Sequence, residues 1–358
     1  MTALIIALFA FLPAQTAPLF EDIHVVPLPQ HEYGYRGMPG SMVQLQDGRL
    51  LLTYSGMTVE GQDTGAIAAR YSSDLGKTWT EESTLIATPQ PAGQGRYCHP
   101  SLLRLSNGQL LLSYIYVSGS NPLFGHNYYR RSADDGKTWG DQLIVTPKPG
   151  YHIMHNDKLV QLSSGRIIAP VEFSFATTTN DHAGYVSYTW YSDDNGYSWH
   201  ESDNMVKMLP VETQEPHVVE LKDGRLLMLM RTYSGYVAKS YSADQGKTWS
   251  EGEAVKELSL PPNSSALNIK RIPATNDLLL LRSSQGPKEG PYRRTPFVSV
   301  ISKDDGNTWE NERIIQGDPE DDYGYPSLLF VENLALISYH QRDGLHVARI
   351  GTDWFGSK

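Results

Sequence analysis

The 358-residue chain predicts an all-β fold, a six-bladed β-propeller built from four-stranded antiparallel blades. Three observations carry that expectation. The pattern Ser-x-Asp-x-Gly-x-(Thr/Ser)-Trp occurs five times: SSDLGKTW (72–79), SADDGKTW (132–139), SDDNGYSW (192–199), SADQGKTW (242–249) and SKDDGNTW (302–309). The leading serines, Ser72, Ser132, Ser192, Ser242 and Ser302, stand 60, 60, 50 and 60 residues apart. A near-fixed period on this scale marks units that cannot bury an apolar face alone and pack against neighbouring copies. Upstream of each copy lie two apolar runs joined by a short polar turn, which is a hairpin signal.

Taken in order, residues 3–12 are apolar and lead into Pro13-Ala14-Gln15-Thr16-Ala17-Pro18. Residues 1–17 therefore read as a secretory signal cleaved near Ala17, with a buried strand as the alternative, since no Lys or Arg precedes the apolar run. Residues 18–358 are expected to form one propeller domain, with residues 23–28 supplying a closing strand to the last blade. The hairpin turns are Gln46-Asp47-Gly48, Ser106-Asn107-Gly108, Ser163-Ser164-Gly165, Lys222-Asp223-Gly224 and, without Gly, Thr275-Asn276-Asp277. A third run, such as residues 236–241, precedes each signature. The signature itself suits a tight turn, because Asp bonds nearby amides and Gly accepts positive φ. A more polar fourth strand completes the blade, and the Trp is expected between neighbouring sheets. A sixth unit runs through SLLFVEN (327–333), ALISYH (335–340) and GLHVARI (344–350) to a degenerate Gly351-Thr352-Asp353-Trp354. A ring of blades has no single growing core, so the length suits one domain.

Composition bounds the partners. A formal net charge of −10 argues against nucleic acid or an anionic membrane surface. No other stretch is long and apolar enough to span a bilayer. The single cysteine, Cys98, excludes an internal disulfide framework. The expected location is secreted or periplasmic, with no cofactor.

In a four-stranded blade the start of the innermost strand and the loop between strands two and three share one face, opposite the signature turns. Counting nine residues back from each hairpin Gly gives Pro39, His99, Asn156 and Glu215, and the matching place in the sixth unit is Tyr325. These side chains converge on the axis, either as a ligand site or as the lining of a water-filled channel. His99, His155 and Asp157 lack the spacing of a zinc or calcium site, so no metal is expected there. Cys98 and its neighbour His99 face opposite sides of a strand and do not form a nucleophile pair.

The signature is the Asp-box, and nearly the whole chain resembles the sialidases. The acidic residues of the box are structural. In that family a Glu precedes a V-V-E-L-x-D-G-R-L run ending in Arg; here Glu215 leads through Val218-Val219-Glu220-Leu221-Lys222-Asp223-Gly224-Arg225 to Arg231. Gly324-Tyr325-Pro326-Ser327-Leu328 is similar to the run holding the family's tyrosine, and Tyr35-Arg36-Gly37-Met38-Pro39 to its Tyr-Arg-Ile-Pro, with one residue inserted. The resemblance implies Tyr325 as nucleophile, Glu215 as its base, and Arg36, Arg231 and Arg294 clamping a substrate carboxylate, with Arg293 competing for the third place. A neutral tyrosine avoids the repulsion an anionic nucleophile would meet at a carboxylated anomeric centre. Three guanidinium groups suit a carboxylate through charge-assisted, partly bidentate bonds. The acid/base would be Asp63, with Glu60 as rival, and its carboxyl must be protonated when it meets the leaving oxygen.

Departures are the altered Tyr-Arg-Gly-Met-Pro, Gln214 where an Asn often precedes the Glu, Pro216 after it, and His340 in place of a Glu. His99, His155, Asn156 and Asp157 have no family counterpart, and His99 and Asn156 are candidate substrate contacts. The expected partner is a carbohydrate with a terminal acidic sugar, cleaved by an exo-acting sialidase-type glycosidase. An enzyme acting on a uronate-containing polysaccharide and a non-catalytic carbohydrate-binding propeller are the alternatives.

Overall fold

The computed structural model describes residues 18–356 except 33, 34, 37, 39, 59, 90–94, 119–123, 175–183, 262, 263 and 285–292. The signal-peptide expectation for 1–17 and the axial position Pro39 lie outside the described residues. Strand β1 (Phe20–Pro27) comes first. The first unit pairs β2 (Gly40–Gln44), β3 (Leu50–Met57), β4 (Asp63–Ser72) and β5 (Ser83–Ile86) in that order. The second holds β6 (Arg96–Arg104), β7 (Leu110–Ser118), β8 (Phe124–Ser132) and the short β9 (Leu143–Ile144). The third holds β10 (Tyr151–Ile153), β11 (Val160–Gln161), β12 (Ile167–Ser174), β13 (Tyr185–Ser192) and β14 (His200–Glu201).

The fourth sheet is β15 (Gln214–Glu220), β16 (Leu226–Arg231), β17 (Tyr236–Ser242) and β18 (Glu253–Ser259). The fifth is β19 (Asn268–Arg271), β20 (Leu278–Ser283), β21 (Phe297–Ser302) and β22 (Glu310–Gln316). The last unit is β23 (Gly324–Val331), β24 (Leu334–Gln341) and β25 (Gly344–Gly351), followed by the one-turn α1 (Thr352–Gly356). Strand β1 pairs antiparallel with β25, Ile23 opposite Val347, so the N-terminal run does close the last sheet. The second and third units depart from separate blades. A single parallel pairing, Tyr151 to Gly125, joins them into one nine-stranded sheet.

Apolar alternation explains how the sheets stack. Leu51 and Leu110 share one cluster with Trp139, Leu111 and Ile167 a second with Trp199, and Ile168 and Leu226 a third with Trp249. Leu227 and Leu278 join Trp309, Leu279 and Leu281 meet Ile337, and Leu336 and Val347 meet Leu50 and Trp79. Each cluster draws on two successive units, and the last returns to the first, giving a propeller-like arrangement. The signature tryptophans lie in those inter-sheet seams, as the sequence predicts.

Each signature turn engages its own acid. In the fourth copy Ser242 Oγ donates to Asp244 Oδ1 (2.8 Å) and accepts from Gly246 N (2.8 Å), while Thr248 donates to both carboxylate oxygens. Gln245 and Gly246 both take positive φ, 59° and 85°. The same bonds in the second and third copies pull the Asp134 and Asp194 carboxyls down to about 2. With its acid fully engaged by its own turn, the motif is structural. No helix of the described residues is long and apolar enough to cross a membrane.

Candidate active site

The first strands of three units break register at the same place. Bulges lie between Cys98 and Ser101, between Gln214 and His217, and between Gly324 and Ser327. His99, Glu215 and Tyr325 sit in them with positive φ of 54°, 48° and 50°. A bulge re-aims a side chain that alternation would otherwise fix, and such backbone costs about 1–3 kcal/mol per residue. Pro100, Pro216 and Pro326 follow these three residues. Proline has no N–H for the ladder, so the break lies where the ladder could not be completed. In the third unit the left-handed residue is Asp157 (φ 57°), one position beyond the Asn156 reached by counting.

The bulges bring five of the expected residues into contact. The Tyr325 hydroxyl donates to Glu215 Oε1 at 3.1 Å. Arg231 Nη1 donates to the same oxygen at 3.0 Å. The Arg294 guanidinium carbon stands 5.1 Å from the Tyr325 ring centroid, within cation–π range. His99 meets the ring edge-on at 5.4 Å. Arg293 instead binds the Glu32 carbonyl (2.7 Å), so Arg294 is the arginine beside the tyrosine. Arg36 is held by Asp322, its Nε 3.2 Å from Oδ1 and its Nη2 on the other oxygen. Asp322 also lies 3.7 Å from His340 Nε2. His340 in turn is 5.9 Å from the Tyr325 ring.

Two expected residues are placed differently. Asn156 is buried, and its amide donates to the carbonyls of Gly40 (2.8 Å) and Tyr325 (3.0 Å), making it a strut between first strands. Asp63 accepts from Gly65 N (2.8 Å) and pairs with Arg96 (3.2 Å). No hydrogen bond, ion pair or ring contact among the described residues joins it to Tyr325. Glu60 is exposed.

A second layer lies behind these residues; the sequence reading named His155 without a role and missed Glu172. His155 stacks on Tyr325 (5.6 Å, 16°), with Nε2 3.3 Å from Glu172 Oε1 and 3.8 Å from Glu215 Oε1. Glu172 Oε2 accepts the Glu215 backbone N–H at 2.6 Å, holding the strained residue in place. His155 Nδ1 lies 3.3 Å from His99 Nδ1. Glu172 and Asp322 belong to no motif, whereas the prolines after three site residues are a signal that was there to be read.

Electrostatics separate the roles. Burial alone would raise the Glu215 carboxyl, but Arg231, His155, Arg294 and Lys158 outweigh it and hold it below the usual range. Burial, aided by the Glu215 charge, pushes the Tyr325 phenol up to about 12 against the pull of the two arginines. Tyr325 is thus neutral beside an ionised carboxylate. Burial raises the Asp63 carboxyl, opposed by the Gly65 amide and Arg96. The Cys98 thiol is buried and raised to about 12, leaving it inert at neutral pH.

Comparison with known proteins identifies the family. The BNR repeat-like domain matches residues 48–337, and the chain belongs to that family, within the sialidase superfamily. It is 26% identical over 342 residues to a sialidase of Bacteroides fragilis, covering 87% of this chain and 60% of that one. A sialidase of Micromonospora viridifaciens is 25% identical over 359 residues, covering 90% of this chain and 53% of that one. The chain therefore spans little more than half the length of these two relatives. Among solved structures, the Hadza microbial sialidase Hz136 superposes with a TM-score of 0.71 at 21% identity, over 88% of this chain and 65% of that one. It has the same fold.

Proposed function

We propose that this chain is the catalytic propeller, six-bladed and acting outside the cytoplasm, of an exo-acting glycoside hydrolase of sialidase type. It removes a terminal sialic acid or a related carboxylated sugar with retention of configuration. The observation that carries this is the neutral Tyr325 hydroxyl 3.1 Å from the ionised Glu215, flanked by Arg231 and Arg294. Glu215 takes the phenol proton as Tyr325 Oη bonds to the anomeric carbon. The departing glycosidic oxygen takes a proton from Asp63, and water, deprotonated by the same carboxylate, then cleaves the tyrosyl intermediate. Arg231, Arg294 and Arg36 hold the sugar carboxylate, with Asp322 fixing the Arg36 fork. The purified chain is expected to release sugar from an aryl sialoside, with proton NMR detecting the retained anomer first. An inverted first product, or no turnover of any carboxylated exo-glycoside, refutes the proposal.

The pH profile tests Asp63. The reaction needs Glu215 ionised and Asp63 protonated. Glu215 is shifted down, so the rate falls on the acid side only below the ordinary carboxylate range. Asp63 is shifted up, so the rate persists above an ordinary Asp value and falls as pH rises through its raised one. Asp63→Asn is expected to abolish that upper limb. It should also lower kcat on alkyl glycosides about 10²–10⁴-fold while sparing aryl glycosides, whose leaving groups need little protonation. An unchanged profile in this variant transfers the role to Glu60.

The histidine pair at Tyr325 favours one alternative chemistry, β-elimination on a uronate-containing polysaccharide with Tyr325 or a histidine as base. It would generate an unsaturated product absorbing in the ultraviolet, which hydrolysis does not.

A further inference from the structure

Outside the active site, β1 and β25 bring together a cluster that no sequence spacing could show. His24 lies on the N-terminal strand, Asp343 in the β24–β25 turn and His346 on β25, and one ligand atom from each falls within 4.8 Å of the others. Both histidines are oriented by an acceptor on one ring nitrogen. His346 Nδ1 stands 3.0 Å from Asp22 Oδ2, and Asp22 is itself fixed by the Tyr339 hydroxyl at 2.7 Å. His24 Nε2 stands 3.0 Å from the Asp343 carbonyl oxygen. In His24 the proton therefore belongs on Nε2, leaving a lone pair on Nδ1, whereas His346 meets a carboxylate oxygen at each ring nitrogen. One nitrogen of each ring faces the same carboxylate: His346 Nε2 is 3.0 Å from Asp343 Oδ1, and His24 Nδ1 is 3.9 Å from Asp343 Oδ2. The Gln341 side-chain amide stands beside the same nitrogen, 2.6 Å from His346 Nε2.

A lone pair facing a carboxylate is repulsive unless a cation lies between them. A proton would serve for His346 alone, whereas two imidazole nitrogens and a carboxylate suit a borderline transition metal. A carboxylate behind the ligating histidine, as Asp22 is here, is the usual outer partner of such a site. The rings are stacked at 4.2 Å and 18°, and exposed His24 needs only to splay away for both nitrogens to face one ion.

We propose that His24, Asp343 and His346 form a zinc-class divalent metal site that clamps the N-terminal strand β1 onto β25. The ion would bind the folded ring and not the unfolded chain, because its ligands come from segments 319 residues apart. Ring closure would then be linked to metal.

The test uses the full chain without a polyhistidine tag, stripped with chelator and titrated with zinc chloride by calorimetry. One equivalent is expected to bind, with a higher thermal midpoint than in chelator. His24→Asn and Asp343→Asn, both at exposed or half-exposed positions, should abolish stoichiometric binding and the thermal shift. Asp22→Asn should weaken affinity roughly 10- to 100-fold, the effect of losing an outer carboxylate. The proposal is overturned if no equivalent binds, if binding persists unchanged in His24→Asn and Asp343→Asn, or if stability responds to pH alone.

Discussion

Tyr325→Phe is expected to lower kcat by about 10⁴-fold or more, the scale on which deleting a covalent nucleophile acts. Among the described residues the phenol makes one hydrogen bond, to Glu215, so the change should cost no more than about 1 kcal/mol of stability. The phenylalanine ring keeps the stacked His155, the edge of His99 and the guanidinium of Arg294. The carboxylate clamp is therefore intact, and a carboxylated sugar should bind the variant about as well as the wild type. Kinetics and calorimetry together decide the outcome: retained binding with lost turnover assigns the nucleophile. Wild-type turnover in the phenylalanine variant would sink that role, and equal loss of binding would make Tyr325 a structural member of the pocket.

The same site shows what a sequence exposes and what it conceals. The signature turns and the hairpins were legible because each is a local pattern repeated along the chain, and the closing role of β1 because the sixth unit lacks a full signature and fourth strand of its own. Glu215, Arg231, Arg294 and Tyr325 were legible because the residues around them resemble a family. Asn156 was reached by counting from the hairpin Gly and does meet the Tyr325 carbonyl, but the left-handed residue of its unit is the neighbour, Asp157. The first strand of the third unit is split into β10 and β11, and Asp157 lies in the gap between them with positive φ. An offset of one residue sends a side chain elsewhere. Glu172, in the second strand of its sheet, reaches Glu215 only through the tertiary fold, and no local pattern marks it. His24 and His346 belong to opposite ends of the chain, so their proximity is a property of ring closure alone.

Asp157 carries the largest expected effect on stability. It is 3% exposed, and its carboxylate accepts from Ser41 Oγ (3.0 Å), Asn268 Nδ2 (2.8 Å) and the Leu328 N–H (2.9 Å). Lys270 Nζ adds an ion pair at 2.8 Å. Its own N–H donates to Pro100 O at 3.2 Å. One acid on the third unit thus ties the first strands of the first, second, fifth and sixth. His217 Nδ1 accepts the Ile269 N–H (3.1 Å) and bridges the fourth unit to the fifth. Asp157→Ala leaves several donors facing one another around a buried position, and removing the buried partner of an ion pair costs up to about 3–5 kcal/mol. The isosteric Asp157→Asn fills the space but points an amide N–H₂ at groups that are themselves donors, so it should not rescue the loss. Urea melts are expected to show a lower midpoint for both variants at an unchanged m-value, since the exposed surface is the same. A midpoint shift worth under about 1 kcal/mol in Asp157→Ala, the net value of a single hydrogen bond, would mean that the inter-sheet apolar seams hold the ring without the axial acid.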